Sequence, residues 1–222
     1  MSNAWTVVIP QKDLRLAKSR MELSYAVRRR VVVAMLEDTI TAASGVESVE
    51  RIIVVCDTSH DVEAFSHLGV ITHVDQMGGG LNVAVEAGAA LAREVHPGCN
   101  VAVLPGDLPG LRSIDLSGAL DLALRNPRSF VTDASGSGTT LLAATAGHEL
   151  RAAYGESSSA LHALSGAVEI GRGGQLGSLR RDVDNLADLR TVVAAGCGPR
   201  TRQAYAELSL RGIPMPSAGV TN

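Results

Sequence analysis

The stretch that most constrains the fold is an apolar run, VAVL at residues 101–104, that leads directly into Pro105, Gly106 and Asp107. A run that is apolar on both faces predicts a buried central strand of a parallel sheet, because both faces need cover. In open α/β sheets, ligands bind beyond the carboxyl ends of the strands. Asp107 is therefore a candidate metal-binding or phosphate-handling residue, with a turn cap as the alternative.

Strand and helix patterns alternate along the rest of the chain, which predicts an α/β fold with a mostly parallel central sheet flanked by helices. Residues 1–211 are expected to form one domain, and the Pro/Ser-rich residues 212–222 a loose tail. The predicted strands cover residues 5–9, 51–56, 70–74, 129–132, 141–144 and, at an edge, 179–184. The predicted helices cover residues 24–43, 61–67, 82–95, 115–124, 160–164, 186–195 and 199–210.

Composition excludes several classes of function. The net charge of −3 argues against nucleic-acid binding, which normally needs a basic surface. No segment is apolar for long enough to span a membrane, and no signal peptide opens the chain, so we expect no membrane partner. The three cysteines are odd in number and far apart, which fits a reducing cytoplasm without a disulfide framework.

A cationic segment follows the first predicted strand and contains Lys12, Arg15, Lys18 and Arg20. Lysine and arginine neutralise charge on phosphate oxygens, so a nucleoside triphosphate is a natural guest for this loop. The alternative is a solvated basic loop. No glycine-rich dinucleotide or P-loop fingerprint is present, which argues against a nicotinamide-dependent oxidoreductase.

Three further segments offer polar donors at turns. Glycines 78–80 precede Asn82, which we expect to cap the next helix and to lie where a nucleotide's base, ribose or phosphate can bind. Residues 136–140 combine glycines with the hydroxyls of Thr139 and Thr140, in an anion-binding turn or a simple hairpin. Residues 155–159 place serines at a helix start, as caps or as an anion site.

Two carboxylates, Asp182 and Asp184, end the predicted edge strand. If their side chains point to opposite faces of that strand, only one of them shares a site with Asp107. Residue patterns leave open which one does.

Taken in order, these motifs resemble the guanylyltransferases of deazaflavin-coenzyme biosynthesis, which are relatives of the molybdenum-cofactor nucleotidyltransferases. The resemblance spans residues 5–200 and implies a single-domain, Rossmann-like nucleotidyltransferase fold. It departs from the family at Ser157, where an aspartate is often found. The motifs that carry it are Lys18-Ser19-Arg20, Leu81-Asn82, Gly106-Asp107-Leu108-Pro109, Asp133 with Gly136-Ser137-Gly138-Thr139, Gly155 with Ser157-Ser158, and Arg181-Asp182-Val183-Asp184 with Ala187-Asp188-Leu189.

The resemblance implies a magnesium-dependent transfer of GMP from GTP to phosphoenolpyruvate or 2-phospho-L-lactate, with release of pyrophosphate, in coenzyme F420 biosynthesis. It assigns the metal to Asp107 and Asp182 and the catalytic roles to Lys18 and Asp107. The nucleotide would be held by Lys12, Lys18, Arg20, Asn82 and Gly106, and the acceptor acid by Thr139, Gly155 and Ser158.

The alternatives are a nucleotidyltransferase for another acceptor, such as molybdopterin or a sugar phosphate, and a non-catalytic GTP-binding domain. The second of these predicts binding of GTP without turnover. The sequence does not choose between phosphoenolpyruvate and 2-phospholactate, and it fixes neither the strictness for guanine nor the oligomeric state.

Overall fold

The computed structural model describes residues 3–75, 79–172 and 174–210, without the side chain of His60. The strands are β1 (Trp5–Gln11), β2 (Val49–Cys56), β3 (Ile71–Val74), β4 (Asn100–Val103), β5 (Arg128–Thr132), β6 (Thr139–Ala144) and β7 (Val168–Glu169). The helices are α1 (Tyr25–Ser44), α2 (Ser59–Phe65), α3 (Leu81–Val95), α4 (Ser113–Ala123), α5 (Ser158–Leu164), α6 (Leu186–Ala195) and α7 (Pro199–Leu210).

The strands form one sheet in the order β3-β2-β1-β4-β6-β5-β7. Strands β1 to β4 run parallel, β6 pairs antiparallel with β4 and β5, and β7 pairs parallel with β5. The predicted α/β class with a mostly parallel sheet is confirmed. The strand order reverses between β1 and β4, so the carboxyl ends of these two strands flank the crevice where ligands of such sheets bind.

Alternation along the central strands divides the core into two layers. In β1, Val7 and Ile9 belong to the layer beneath α1, α4, α6 and α7, whereas Val8 belongs to the layer beneath α3. The apolar run at 101–104 behaves in the same way and is buried on both faces, as predicted. None of the described helices is long and apolar enough to cross a membrane.

Two local predictions are wrong, and one short strand is missed. Strand β1 continues through Pro10 to Gln11, because β4 pairs with β1 only as far as Val8 and leaves that edge free of a second ladder. Helix α3 begins at Leu81 after Gly80, so Asn82 lies inside its first turn and is not the N-cap. The two-residue strand β7 is absent from the predictions.

The predicted edge strand at residues 179–184 is also wrong. Gly177–Arg180 form a 3₁₀ helix, and the chain beyond it makes no ladder. Single hydrogen bonds and apolar burial hold the segment: the Val183 N–H donates to the Asp107 carbonyl at 3.1 Å, and the side chains of Leu179 and Val183 are both buried. Gly78 of the glycine segment and the predicted tail at 212–222 lie outside the described residues.

Candidate active site

A cavity of ≈ 650 Å³ opens at the switch point between β1 and β4. One wall comes from the end of β1 and the loop after it, and the opposite wall from the start of β6 and Tyr154. Because β6 is antiparallel, its first residue, Thr139, lies at the same sheet edge as the carboxyl ends of β1 and β4. Asp107 follows β4 and so lies between these walls, since β4 separates β1 from β6 in the sheet.

Three carboxylates converge in this cavity. One oxygen from each of Asp107, Asp182 and Asp184 lies within 4.8 Å of the others. Asp107 follows β4 through the Pro105-Gly106 turn, and the Val183 bond to the Asp107 carbonyl brings the segment with the other two alongside it. Carboxylate oxygens in a group of this size are ligands that Mg²⁺ prefers, so the donor set fits that ion.

Lys18 lies among these carboxylates. Its ammonium forms an ion pair with Asp107 and donates to Asp184 Oδ1 at 2.6 Å. Burial lowers the pKa of Lys18, but the two carboxylates outweigh that effect and raise it overall. Lys18 therefore stays charged, in a left-handed backbone conformation with φ of 54°.

The single ammonium of Lys18 does not neutralise the three carboxylates. Burial, followed by the charges of Asp107 and Asp184, raises the pKa of Asp182 to about 6. Asp107 Oδ1 is buried and has no hydrogen-bond partner among the described residues. A buried carboxylate oxygen without a partner carries a free-energy penalty that a bound cation would remove. The site thus fits a further positive charge.

The expectation that only one of Asp182 and Asp184 shares the site of Asp107 is wrong. Side chains two residues apart on a strand face the same side, so alternation does not separate them. The segment is not a strand in any case, and both carboxylates face Asp107.

The predicted nucleotide-binding residues divide into two groups. Lys12, Lys18, Arg20 and Gly106 all line the cavity, and the side chains of Lys12 and Arg20 are exposed to it. Asn82 does not contribute to the lining. Its side chain is instead held by the backbone of Tyr154: Nδ2 donates to the carbonyl at 3.0 Å, and Oδ1 accepts the N–H at 2.7 Å.

The predicted acceptor residues meet the cavity through Thr139, which lines it. Ser158 is 2% exposed, and its hydroxyl donates to Thr139 Oγ1 at 3.1 Å. Gly155 lies in the turn before α5, with φ of 136°, a conformation that favours glycine. The segment from β5 to β6 is a hairpin, as the simpler interpretation predicts. The serines do not cap α5 with their side chains.

The cavity residues that sequence reasoning missed include Asp57 and Tyr154. Asp57 follows β2 directly, and its Oδ2 accepts the Asp13 N–H at 2.9 Å. The rule that identified Asp107 also applies to Asp57, since both carboxylates follow a parallel strand. Tyr154 lies in an irregular segment with no such signal, and its hydroxyl is buried without a partner among the described residues.

Solved structures with the same architecture include nucleotide-processing enzymes. A protein from Desulfovibrio desulfuricans G20, described as a nucleotide-diphospho-sugar transferase, superposes with a TM-score of 0.68 over 96% of this chain and 99% of its own, at 11% identity. A cytidylyltransferase from Leptospira borgpetersenii gives a TM-score of 0.55 over the full length of both chains, at 13% identity. At such identities the likeness establishes the nucleotidyltransferase fold alone.

Sequence comparison is more specific. A phosphoenolpyruvate guanylyltransferase of Streptomyces avermitilis is 42% identical over 210 residues, which cover 94% of this chain and 97% of that protein. The family model described as "Guanylyl transferase CofC like" matches residues 5–213, nearly the whole chain. The match confirms the resemblance found in the ordered motifs, and the chain belongs to the CofC-like guanylyl transferase family.

Proposed function

We propose that the protein transfers GMP from GTP to phosphoenolpyruvate and releases pyrophosphate, as a step of coenzyme F420 biosynthesis. The observation that carries the proposal is the cavity in which Lys18 and three carboxylates lie between a cationic loop and Thr139. The acceptor is taken from the name of the Streptomyces relative at 42% identity, and 2-phospho-L-lactate is the nearest alternative.

In this reaction an oxygen of the acceptor's phosphate attacks the α-phosphorus of GTP. The bond from the α-phosphorus to the oxygen that bridges it to the β-phosphate breaks, and pyrophosphate leaves in line with the attack. The acceptor phosphate is already ionised at neutral pH, so no side chain has to remove a proton. Catalysis then depends on positioning the two reactants and on neutralising their charge.

The cationic loop would neutralise the triphosphate. Lys12 and Arg20 are exposed in the cavity and free to move towards phosphate oxygens, while Lys18 lies nearest the carboxylates. Lys18 would hold the α-phosphate beside them and stabilise the charge that develops there. Gly106 would face the nucleotide through its backbone, and it is glycine because a Cβ there would lie 2.7 Å from the buried Leu36 Cδ1.

Magnesium would be held by Asp107 and Asp182, with Asp184 as a third carboxylate in reach. When bound, it would polarise the α-phosphate and stabilise the leaving pyrophosphate. Two observations support this assignment. A bound cation would give Asp107 Oδ1 the partner that it lacks, and it would offset the burial and the negative charges that raise the pKa of Asp182. The acceptor acid would occupy the opposite wall, near Thr139, with Gly155 and Ser158 shaping it.

We assign the reaction to the cytoplasm. All three cysteines are free, with Cys56 and Cys99 buried, as a reducing compartment allows.

A pyrophosphate-release assay with a panel of acceptors tests the proposal. Phosphoenolpyruvate should support release from GTP with Mg²⁺, and sugar phosphates or a molybdopterin should not. Binding of GTP without turnover of any acceptor would support the non-catalytic alternative and overturn the proposal.

The Asp107→Asn variant tests the metal assignment. It should keep its fold and its affinity for GTP in the absence of metal, but lose Mg²⁺-dependent pyrophosphate release by at least about 100-fold. Retained activity would remove Asp107 from the metal site.

A further inference from the structure

A buried polar cluster lies behind the acceptor wall of the cavity. It consists of Thr139 on β6 and of Ser158 and His162 on α5, which are 8%, 2% and 0% exposed. The Thr139 Oγ1 lies 2.9 Å from His162 Nδ1 and 3.1 Å from Ser158 Oγ. Only Thr139 of the three lines the cavity.

The hydrogen-bond pattern fixes the tautomer of His162. The Ala153 N–H donates to Nε2 at 3.1 Å, so Nε2 carries a lone pair and no proton. Burial, followed by the charge of Arg128, lowers the pKa of His162 to about 4, so the ring is neutral at physiological pH. The ring's single N–H proton is therefore on Nδ1, which donates to Thr139.

The Thr139 hydroxyl can consequently donate its own hydrogen bond only towards the cavity. Its Oγ1 accepts from His162 Nδ1 and from the Ser158 hydroxyl, and these two bonds fill the two lone pairs of a hydroxyl oxygen. Neither partner can then accept from it. Among the described residues no other acceptor is bound to this hydroxyl, and the cavity lies beside it.

Resting on the function proposed above, we propose that His162 is a positioning residue, which makes the Thr139 hydroxyl an obligate hydrogen-bond donor to an anionic oxygen of the acceptor acid. The sheet order favours the acceptor over GTP, because Asp107 lies between Thr139 and the cationic loop. A hydroxyl that already accepts two hydrogen bonds is free to donate one to a carboxylate or phosphate oxygen, because no protein acceptor competes for it.

A purely structural role for His162 predicts different kinetics. Its ring packs edge-on against Tyr154, with centroids 5.2 Å apart, and it binds the Ala153 N–H, so its loss would loosen the whole wall. Loosening would lower stability and disturb both substrates. A role through the Thr139 hydroxyl should affect the acceptor alone.

The test compares steady-state kinetics for phosphoenolpyruvate and for GTP in four single variants and in the double variant that combines Thr139→Val with His162→Leu. Thr139→Val removes the hydroxyl, and His162→Leu removes the donor to it. His162→Asn keeps an N–H donor near the position of Nδ1. His148→Asn is the matched control, because His148 is exposed, lies beyond the end of β6 opposite to Thr139 and does not line the cavity.

We expect Thr139→Val and His162→Leu each to lower kcat/KM for the acceptor by about 10- to 100-fold. The KM for GTP should change by less than about threefold in both variants. The double variant should be no worse than Thr139→Val alone, since both changes act through one hydroxyl. His162→Asn should recover part of the loss, and the His148→Asn control should match the wild type.

Three results would overturn the proposal: unchanged acceptor kinetics in a folded His162 variant, equal losses for GTP and acceptor, or additive losses in the double variant. Thermal melts show whether each variant folds, and if His162→Leu does not, the comparison of His162→Asn with Thr139→Val decides. A wild-type protein that turns over no phosphorylated acid would instead refute the proposed function itself. If the wild type is active and the variants have the same acceptor kinetics as the wild type, only the role of His162 is refuted.

Discussion

Lys18 is the only described cation that contacts two of the three carboxylates in the cavity. Without it, Asp107, Asp182 and Asp184 would repel one another at distances below 5 Å. Replacing Lys18 by alanine should therefore weaken use of GTP, because the same ammonium is needed beside the α-phosphate. We expect kcat/KM for GTP to fall by at least about 100-fold in a pyrophosphate-release assay.

Arg125→Ala is the control for that variant. Arg125 is an exposed cation in the turn after α4, outside the cavity lining, so its loss changes net charge equally without touching the site. A Lys18→Ala enzyme as active as the Arg125→Ala enzyme would remove Lys18 from the mechanism.

The lowered pKa of His162 predicts how stability depends on pH. Above pH 6.5 the ring is neutral in both the folded and the unfolded chain. Between pH 6.5 and about 4, the unfolded chain binds a proton that the folded protein does not, so the free energy of unfolding falls as the pH falls. The slope from this one group is about 1.4 kcal/mol per pH unit.

The measurement is chemical denaturation from pH 7.5 to 4.5 of the wild type and of His162→Asn, which has no proton to bind. The wild type should lose stability more steeply below pH 6.5. Parallel curves would show that His162 is protonated in the folded protein as readily as in the unfolded chain.

The sequence identified site residues that directly follow a strand or belong to a local cluster. It did not identify residues that meet only when distant segments pack together. Asp107 was identified because it directly follows an unmistakable buried run, and Lys18 because it belongs to a cluster of cations. His162 carried no signal, since its partner Thr139 is 23 residues away and meets it only when α5 packs beside β6. Asn82 was expected to cap α3 and to lie near the nucleotide, but its side chain instead binds the backbone of Tyr154, 72 residues away.

The long strands and helices were predicted correctly from the periodicity of their apolar residues. The wrong prediction concerns a segment that is too short to show such a period. Residues 179–184 are predicted to form an edge strand, but no neighbouring strand pairs with them. The Arg180 guanidinium binds the Thr132 and Gly171 carbonyls and holds the chain in a 3₁₀ turn instead. The Val183 bond to the Asp107 carbonyl then holds Asp182 and Asp184 beside Asp107.

Helix α3 packs closely enough on the sheet to require glycine at position 88. A Cβ there would clash with Val8 Cγ1 and lie 2.8 Å from Val55 Cγ2, and both valines are buried. Gly88→Ala gains about 1 kcal/mol of helix propensity. The overpacking costs about 1–3 kcal/mol, so we expect the free energy of unfolding to fall.

Gly118→Ala in α4 is the matched comparison. A Cβ at Gly118 would meet only Leu176 Cδ2 at 3.7 Å, an ordinary contact, so the helix propensity gain should remain and the variant should be more stable than the wild type. Denaturant unfolding of both variants gives the two changes. A Gly88→Ala protein that is stabilised as much as Gly118→Ala would contradict the close packing of α3.

At the scale of the whole molecule, the sheet order determines where chemistry can occur. The reversal between β1 and β4 brings the cationic loop and Asp107 together, and the antiparallel β6 adds Thr139 to the same edge. The sequence indicated this edge but not the reversal of β6 or the partners of α5, because both depend on pairing between distant segments. The wall that would bind the acceptor is built from β6 and α5, so the choice of acceptor depends on these two elements.

The most direct test of the account is mass spectrometry of the products formed from GTP, Mg²⁺ and each of the two acids in turn. We predict a new species with phosphoenolpyruvate, in which GMP is joined to the acid through a diphosphate bridge, together with one pyrophosphate for each molecule formed. Asp107→Asn should form neither. GTP left intact with both acids, or a guanylylated product equally abundant in Asp107→Asn, would contradict the assignment of guanylyl transfer to this site.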